Sequence, residues 1–208
     1  MLGSWNVDVS VGKMPQKVAS AFGDLKLIGA EYTPIAYLGS QQVNGVNHAV
    51  LAEQLVLTGR DTKNVVLMIF NEKDDGVALV NIERVVENGG KLGGINVDVK
   101  TEIPDEAMEA FDSVFGAYVG AKIEPFALVA TQVTKGMNYV FAATVTPVVE
   151  NPVTGVTLVT VNQMTNDVAF VDLLTSKHDV LSLGYAFTWL RQQNTSAPIK
   201  PQPFRPAN

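Results

Sequence analysis

Histidine and cysteine, which serve enzymes as general bases, nucleophiles and metal ligands, are scarce in this chain. Its 208 residues include two histidines, His48 and His178, and no cysteine. No H-x-x-x-H pair or G-x-S-x-G motif accompanies them, so the patterns of zinc hydrolases and serine nucleophiles are missing. The segment NEKDDG, residues 71–76, superficially resembles a calcium loop, but Lys73 and Ile82 occupy ligand positions. The sequence therefore predicts a protein that is not an enzyme and that uses no metal or cofactor.

The charge and hydropathy of the chain indicate the kind of partner. The formal net charge is −6, without a basic stripe that could neutralise phosphates. No apolar run approaches the roughly 18 residues of a membrane span, and the first ten residues lack the features of a signal peptide. We therefore expect synthesis in the cytoplasm and a protein partner, in a homo- or hetero-oligomer, with neither nucleic acid nor membrane as a partner.

The chain contains an internal duplication. Residues 2–9, LGSWNVDV, return as residues 92–99, LGGINVDV. At a constant shift of 91, 14 of the 52 positions from Gly29 to Val80 are identical to their counterparts in the second copy. This predicts repeat 1 over residues 1–88, a glycine-rich linker over 89–94, repeat 2 over 95–176, and a C-terminal extension over 177–208 with a proline-rich tail.

Each repeat predicts one helix among several strands. Trp5 to Val11 alternates as a strand, and Pro15 opens a short helix; Ile95 to Thr101 and a stronger helix from Pro104 are their counterparts. Strands separated by glycine and polar turns follow each helix. We expect an α+β fold in which each repeat packs one helix on a four-stranded antiparallel sheet, in the order β-α-β-β-β, followed by an extended C-terminal arm.

The turn after the second predicted strand carries a motif in both repeats. Residues 41–52, QQVNGVNHAVLA, contain Q-x-V-x-G, and residues 132–139, QVTKGMNY, keep the glutamine and the glycine. With the element order, this resembles the cystatin superfamily, as a tandem pair of the small cystatin-like domains of gut-associated bacteria. The resemblance implies inhibition of papain-like cysteine proteases through a wedge, here made by Gly3, Gln41, Val43 and Gly45, with Gln132 and Gly136 in repeat 2. The family's Pro-Trp hairpin is absent from both repeats.

The same residues also have a structural interpretation. A glycine in a hairpin supplies a positive φ, and glutamine and asparagine side chains hydrogen-bond turn backbone. The sequence leaves the two interpretations open.

The C-terminal arm, residues 177–208, has no counterpart in the first repeat. It contains four aromatic residues that lie outside the repeated unit, with prolines at 198, 201, 203 and 206. We expect these aromatic side chains to cover an exposed edge of their own chain or to fill a pocket on another subunit: Tyr185, Phe187, Trp189 and Phe204.

Three hypotheses for the function follow. The first is a non-enzymatic assembly protein, a structural component of a multi-subunit particle such as a virion or filament, with the arm as its docking element. The second is an inhibitor of papain-like proteases that acts through the hairpin from Gln41 to Gly45. The third is a small-ligand binder that uses the concave face between helix and sheet.

Overall fold

The computed structural model describes residues 3–57, 62–89 and 93–174. These residues form two antiparallel five-stranded sheets and two short helices. In both sheets, strands that follow one another along the chain are neighbours in the sheet. The first sheet and its helix are β1 (Trp5–Val11), α1 (Gln16–Gly23), β2 (Ala30–Val43), β3 (Gly45–Val56), β4 (Thr62–Lys73) and β5 (Gly76–Val86). The second are β6 (Ile95–Lys100), α2 (Asp105–Phe115), β7 (Ala121–Thr134), β8 (Gly136–Pro147), β9 (Gly155–Asn162) and β10 (Val168–Asp172).

The central strands are apolar on both faces. In β3, Ala49 and Leu51 belong to one buried cluster, whereas Val50 and Ala52 belong to another. In β8, Val140 and Ala142 join the first of these clusters as well. One core thus receives alternate side chains from both sheets, which pack face to face.

The helices cover the outer faces of the sheets. Val18 and Ala21 of α1 are buried against the outer face of the first sheet, where Met68 and Phe70 lie. Phe111 and Phe115 of α2 are buried in the same way against Phe141 of the second sheet. The layers therefore stack in the order helix, sheet, sheet, helix.

The expected fold class, α+β with two cystatin-like domains that each pack a helix on a four-stranded sheet, is wrong. The protein is mostly β, with five strands in each sheet and helices of only 8 and 11 residues. The physical reason lies in the central strands, which are apolar on both faces. A single helix covers only one face of a sheet, so the other face needs a second layer. The second repeat supplies that layer.

Each sheet has two distinct ends, which we name by their connections. The hairpin end of the first sheet carries the β2–β3 turn at Asn44 and the β4–β5 turn at Asp74 and Asp75. The loop end carries the connections from α1 to β2 and from β3 to β4. The second sheet has the same two ends. Within the described ranges, no helix is long and apolar enough to cross a membrane.

Candidate functional site

A row of amide side chains crosses three strands at the hairpin end of the first sheet. Gln41, Asn47 and Asn71 are direct neighbours on β2, β3 and β4. Asn71 Nδ2 donates to Asn47 Oδ1 (2.8 Å), and Asn47 Nδ2 donates to Gln41 Oε1 (3.0 Å). Gln41 Nε2 in turn donates to the carbonyl oxygen of Gly3 (2.8 Å), just before β1. We call this row the amide ladder.

The second sheet contains the same amide ladder. Asn162 Nδ2 donates to Asn138 Oδ1 (2.7 Å), Asn138 Nδ2 to Gln132 Oε1 (3.1 Å), and Gln132 Nε2 to the carbonyl oxygen of Gly93 (3.0 Å). Asn162 also accepts hydrogen bonds from the backbone N–H groups of Met164 and Thr165. The amide ladder therefore belongs to the duplicated unit.

The amide ladders close the inter-sheet core. Along β3, Asn47 lies on the same face as Ala49 and Leu51, which point into that core. Asn162 is buried, and its side-chain oxygen and nitrogen are both bonded. Because each amide is bonded to the next, loss of one member removes a hydrogen bond from its neighbours, and the cost is largest at the buried Asn162.

Gly45 and Gly136 allow the next hairpin to approach the turn. Gly45 has φ +94° and Gly136 has φ +88°. A Cβ on Gly45 would lie 2.5 Å from the carbonyl oxygen of Glu72 and 2.7 Å from Lys73 Cγ; on Gly136, it would lie 2.8 Å from Met164 Cβ. Val43 pairs with Gly45 across the turn and is half-buried.

The structure thus brings together Gly3, Gln41 and Gly45, and likewise Gln132 and Gly136, at the hairpin ends. Their contacts hold the turn, the strand preceding it and the next strand together. These contacts are the ones that the structural interpretation requires. Inhibition of a protease through the same residues stays a prediction.

Repeat 1 also has a chain of polar contacts on its outer face, beneath α1. The Tyr37 hydroxyl lies 3.3 Å from His48 Nδ1, and His48 Nε2 lies 3.1 Å from Glu72 Oε2. Glu72 Oε1 lies 3.0 Å from Lys17 Nζ on α1. Hydrogen bonds from Lys17 and His48 hold the pKa of the Glu72 carboxyl below its usual value, and burial raises the pKa of the Tyr37 hydroxyl.

This polar chain is specific to repeat 1. The positions 91 residues later are Met108, Leu128, Tyr139 and Gln163, which cannot form the same ion pair. Beside these polar contacts, a cleft of about 390 Å³ is lined by Lys17, Gly45, Glu72 and the residues of the β4–β5 turn. Charges of both signs line it, and Lys17 and Glu72 neutralise each other. Across the described part of the chain, no three histidine, cysteine, aspartate or glutamate residues are grouped to hold a metal ion.

Aliphatic side chains are exposed at the loop end of both sheets. Ile28 is 96% exposed and Leu57 is 54% exposed. Their counterparts 91 residues later, Val119 and Val148, are 75% and 69% exposed. We call these two sets the loop-end pairs. One residue of each pair lies in the connection that follows the helix. The other lies in the connection that follows the third strand of the sheet.

Sequence reasoning missed several of these residues. It did not assign a role to Asn71 and Asn162, although both are among the identities between the repeats. Comparing the repeats at a shift of 91 would also have shown that the loop-end pairs stay aliphatic while the residue types change. Tyr37, Glu72 and Lys17 gave no such signal because repeat 2 lacks them. The predicted docking residues Tyr185, Phe187, Trp189 and Phe204 lie outside the described residues, as does the C-terminal arm.

Comparison with known proteins gave no relative. The chain matches no protein-family model, and neither a curated protein nor a solved structure is significantly similar to it.

Proposed function

We propose that this protein is a non-enzymatic assembly protein, a structural component of a multi-subunit particle such as a virion or filament. Its copies contact neighbouring subunits through the loop-end pairs, and the C-terminal arm is a further docking element. The observation that carries the proposal is the exposure of aliphatic side chains at equivalent positions of both repeats.

The recurrence matters more than the exposure itself. Single exposed aliphatic residues are normal on protein surfaces. Here Ile28 corresponds to Val119 and Leu57 to Val148, so both pairs have changed residue type and kept their aliphatic character. Burying a fully exposed aliphatic side chain stabilises a complex by about 1.5–3 kcal/mol, and these four side chains, which are 54% to 96% exposed, contribute in proportion. Four of them can supply a large part of the affinity of a subunit contact.

The test is the mass of the full chain in solution, measured by light scattering after gel filtration. We expect a multimer, and we expect the double variants Ile28→Asp/Leu57→Asp and Val119→Asp/Val148→Asp to have lower mass at equal concentration. Val133→Asp is the matched control, because Val133 is also strongly exposed but its counterpart in repeat 1 is Gln42. Circular dichroism confirms that each variant is folded.

Two results would overturn the proposal. One is a full chain that has the mass of a single copy even at the highest concentration reached. The other is a multimer whose mass is the same for both double variants as for the Val133→Asp control.

A further inference from the structure

Strand β5 is a long open edge of the first sheet. It has 11 residues and is the last strand of its sheet, and β4 is its strand partner among the described residues. Four consecutive residues, Ala78 to Asn81, are exposed, including Leu79 at 43% and Val80 at 55%. The backbone N–H and C=O groups along the outer side of such a strand can pair with another strand.

The packing of the sheets leaves the middle of this edge exposed. Val77 and Ile82 pack against the cluster beneath α1, and Val86 is buried in the inter-sheet core. β4 contacts β6, which is itself the edge strand of the second sheet. Since β5 comes after β4 in sheet order, its exposed middle lies beyond the edge of the second sheet. The other edge strands, β1, β6 and β10, have only 5 to 7 residues.

Natural sheets commonly protect an open edge with charged residues, proline or a bulge. From Gly76 to Ile82, β5 has neither a charged residue nor a proline. A change of register between Leu79 and Asn81 places a bulge at Val80. Regular pairing nevertheless runs from Gly76 to Leu79 and from Asn81 to Arg84. The edge therefore offers two regular stretches to an incoming strand.

The C-terminal arm contains a segment with the pattern of a strand that fits this edge. Residues 181–190, LSLGYAFTWL, have no charge, and from Leu181 to Trp189 they alternate between large apolar and small or polar residues. The large residues are Leu181, Leu183, Tyr185, Phe187 and Trp189. The ten residues of this segment match the 11 of β5 in length, and an uncharged strand would face the uncharged part of the edge.

Reach favours a second copy as the source of this segment. β10 and β6 lie at opposite edges of the second sheet, about 19 Å apart at the usual strand spacing, and the sheets are separated by a further ~10 Å. Because β5 lies beyond β6, the straight path from the end of β10 to the β5 edge is about 26 Å. The seven steps from Leu174 to Leu181 extend to about 25 Å at most, so pairing of the whole segment within one copy would need a fully extended path straight through the sheets. A neighbouring subunit faces no such limit.

We propose that residues 181–190 of one copy add as a strand to the outer edge of β5 in a second copy. This inference rests on the proposed assembly function and names one of its contacts. Backbone hydrogen bonds give the added strand its affinity, and its large side chains pack beside the exposed Leu79 and Val80.

Disulfide crosslinking between copies tests the pairing, and it is unambiguous because the natural chain has no cysteine. One population carries Ala78→Cys on β5. A second carries one cysteine in the arm, at Ser182, Gly184, Ala186 or Thr188 in turn, so that the register need not be known. We expect the mixed populations, after mild oxidation, to form a crosslinked dimer whose bridged peptides are identified by mass spectrometry.

The duplication provides a matched control. Ala169 on β10 is the counterpart of Ala78 and is also exposed on an edge strand. Populations with Ala169→Cys and the same arm cysteines should give no crosslinked dimer above the level of random collision.

The outcomes separate this inference from the proposed function. It is overturned if no arm position crosslinks to Ala78→Cys above that control, or if a chain with both cysteines forms only an internal bridge in a single copy. If the full chain is a multimer that keeps its mass after deletion of residues 181–208, this inference fails and the assembly function stands. If the full chain is always a single copy, the assembly function fails as well.

Discussion

Replacing Gly45 by alanine should destabilise the protein more than the same change at another glycine with a similar backbone conformation. Gly45 has φ +94°, and its new Cβ would lie 2.5 Å from the backbone carbonyl oxygen of Glu72. The left-handed conformation costs a non-glycine residue about 1–2 kcal/mol. Displacing a strand backbone costs about 1–3 kcal/mol more. We therefore expect the free energy of unfolding to fall by about 2–5 kcal/mol.

Two other glycines separate these contributions. Gly29 has φ +88°, and no heavy atom lies within 4 Å of the place that a Cβ would take, so Gly29→Ala should lose only the conformational cost of about 1–2 kcal/mol. Gly136 also has φ +88°, but its new Cβ would lie 2.8 Å from Met164 Cβ, a less close approach than the 2.5 Å at Gly45. Gly136→Ala should therefore lie between the other two variants.

Urea unfolding of the three variants measures how much each one lowers the free energy of unfolding. An unchanged m-value shows that the unfolded state is the same. If Gly45→Ala is no more destabilising than Gly29→Ala, the β4–β5 hairpin is not held against the turn. In that case, the close approach does not explain why both repeats have glycine at this position.

Three further predictions concern polar groups. Asn162→Ala should lower the free energy of unfolding by about 2–4 kcal/mol, and Asn71→Ala should lower it by about 1 kcal/mol. The difference arises because the buried Asn162 bonds both the amide ladder and the following turn. Equal losses of stability in urea unfolding would contradict this prediction. The Glu72→Gln variant should be less stable than the natural protein at pH values above the usual carboxyl pKa. This difference in stability should vanish as the pH falls through the lowered pKa of Glu72. A difference that persists in acid would show that the ion pair is not its cause. Burial raises the pKa of the Asp172 carboxyl, whose Oδ1 has no hydrogen-bond partner in the described structure, so Asp172→Asn should be more stable at neutral pH. The difference in stability should begin above the usual carboxyl pKa and be complete above the raised pKa of Asp172. Thermal unfolding of both proteins across the pH range measures this difference. A variant that is no more stable than the natural protein at neutral pH would contradict the prediction.

The sequence predicts local structure well where a pattern is repeated. Trp5–Val11 was expected as a strand and forms β1 with those bounds. Pro15 and Pro104 directly precede α1 and α2. These features depend on short-range patterns, namely alternation and the preference of proline for helix starts, which a single sequence carries.

The architecture was missed because it depends on what covers the second face of each sheet. The apolar runs of β3 and β4 were available in the sequence, and they are typical of strands buried on both faces. The resemblance to a family with one helix on one sheet implies a covering layer on one face only. The partner of the second face is the other repeat, which lies far away along the chain, and no local pattern identifies it.

The candidate site was predicted in part for the same reason. Gln41 and Gly45 stood out because both repeats keep them, but their partners depend on strand register. Asn47 meets Asn71 only because β3 and β4 pair as they do. The loop-end pairs are recognised once the fold shows that aliphatic residues in both repeats remain outside the core.

The most direct test of the assembly function is the native mass of the unmodified full chain, followed from dilute to concentrated solution. We expect a multimer that dissociates on dilution and that loses mass when the loop-end pairs carry aspartate. A chain that has the mass of one copy at every concentration would contradict it.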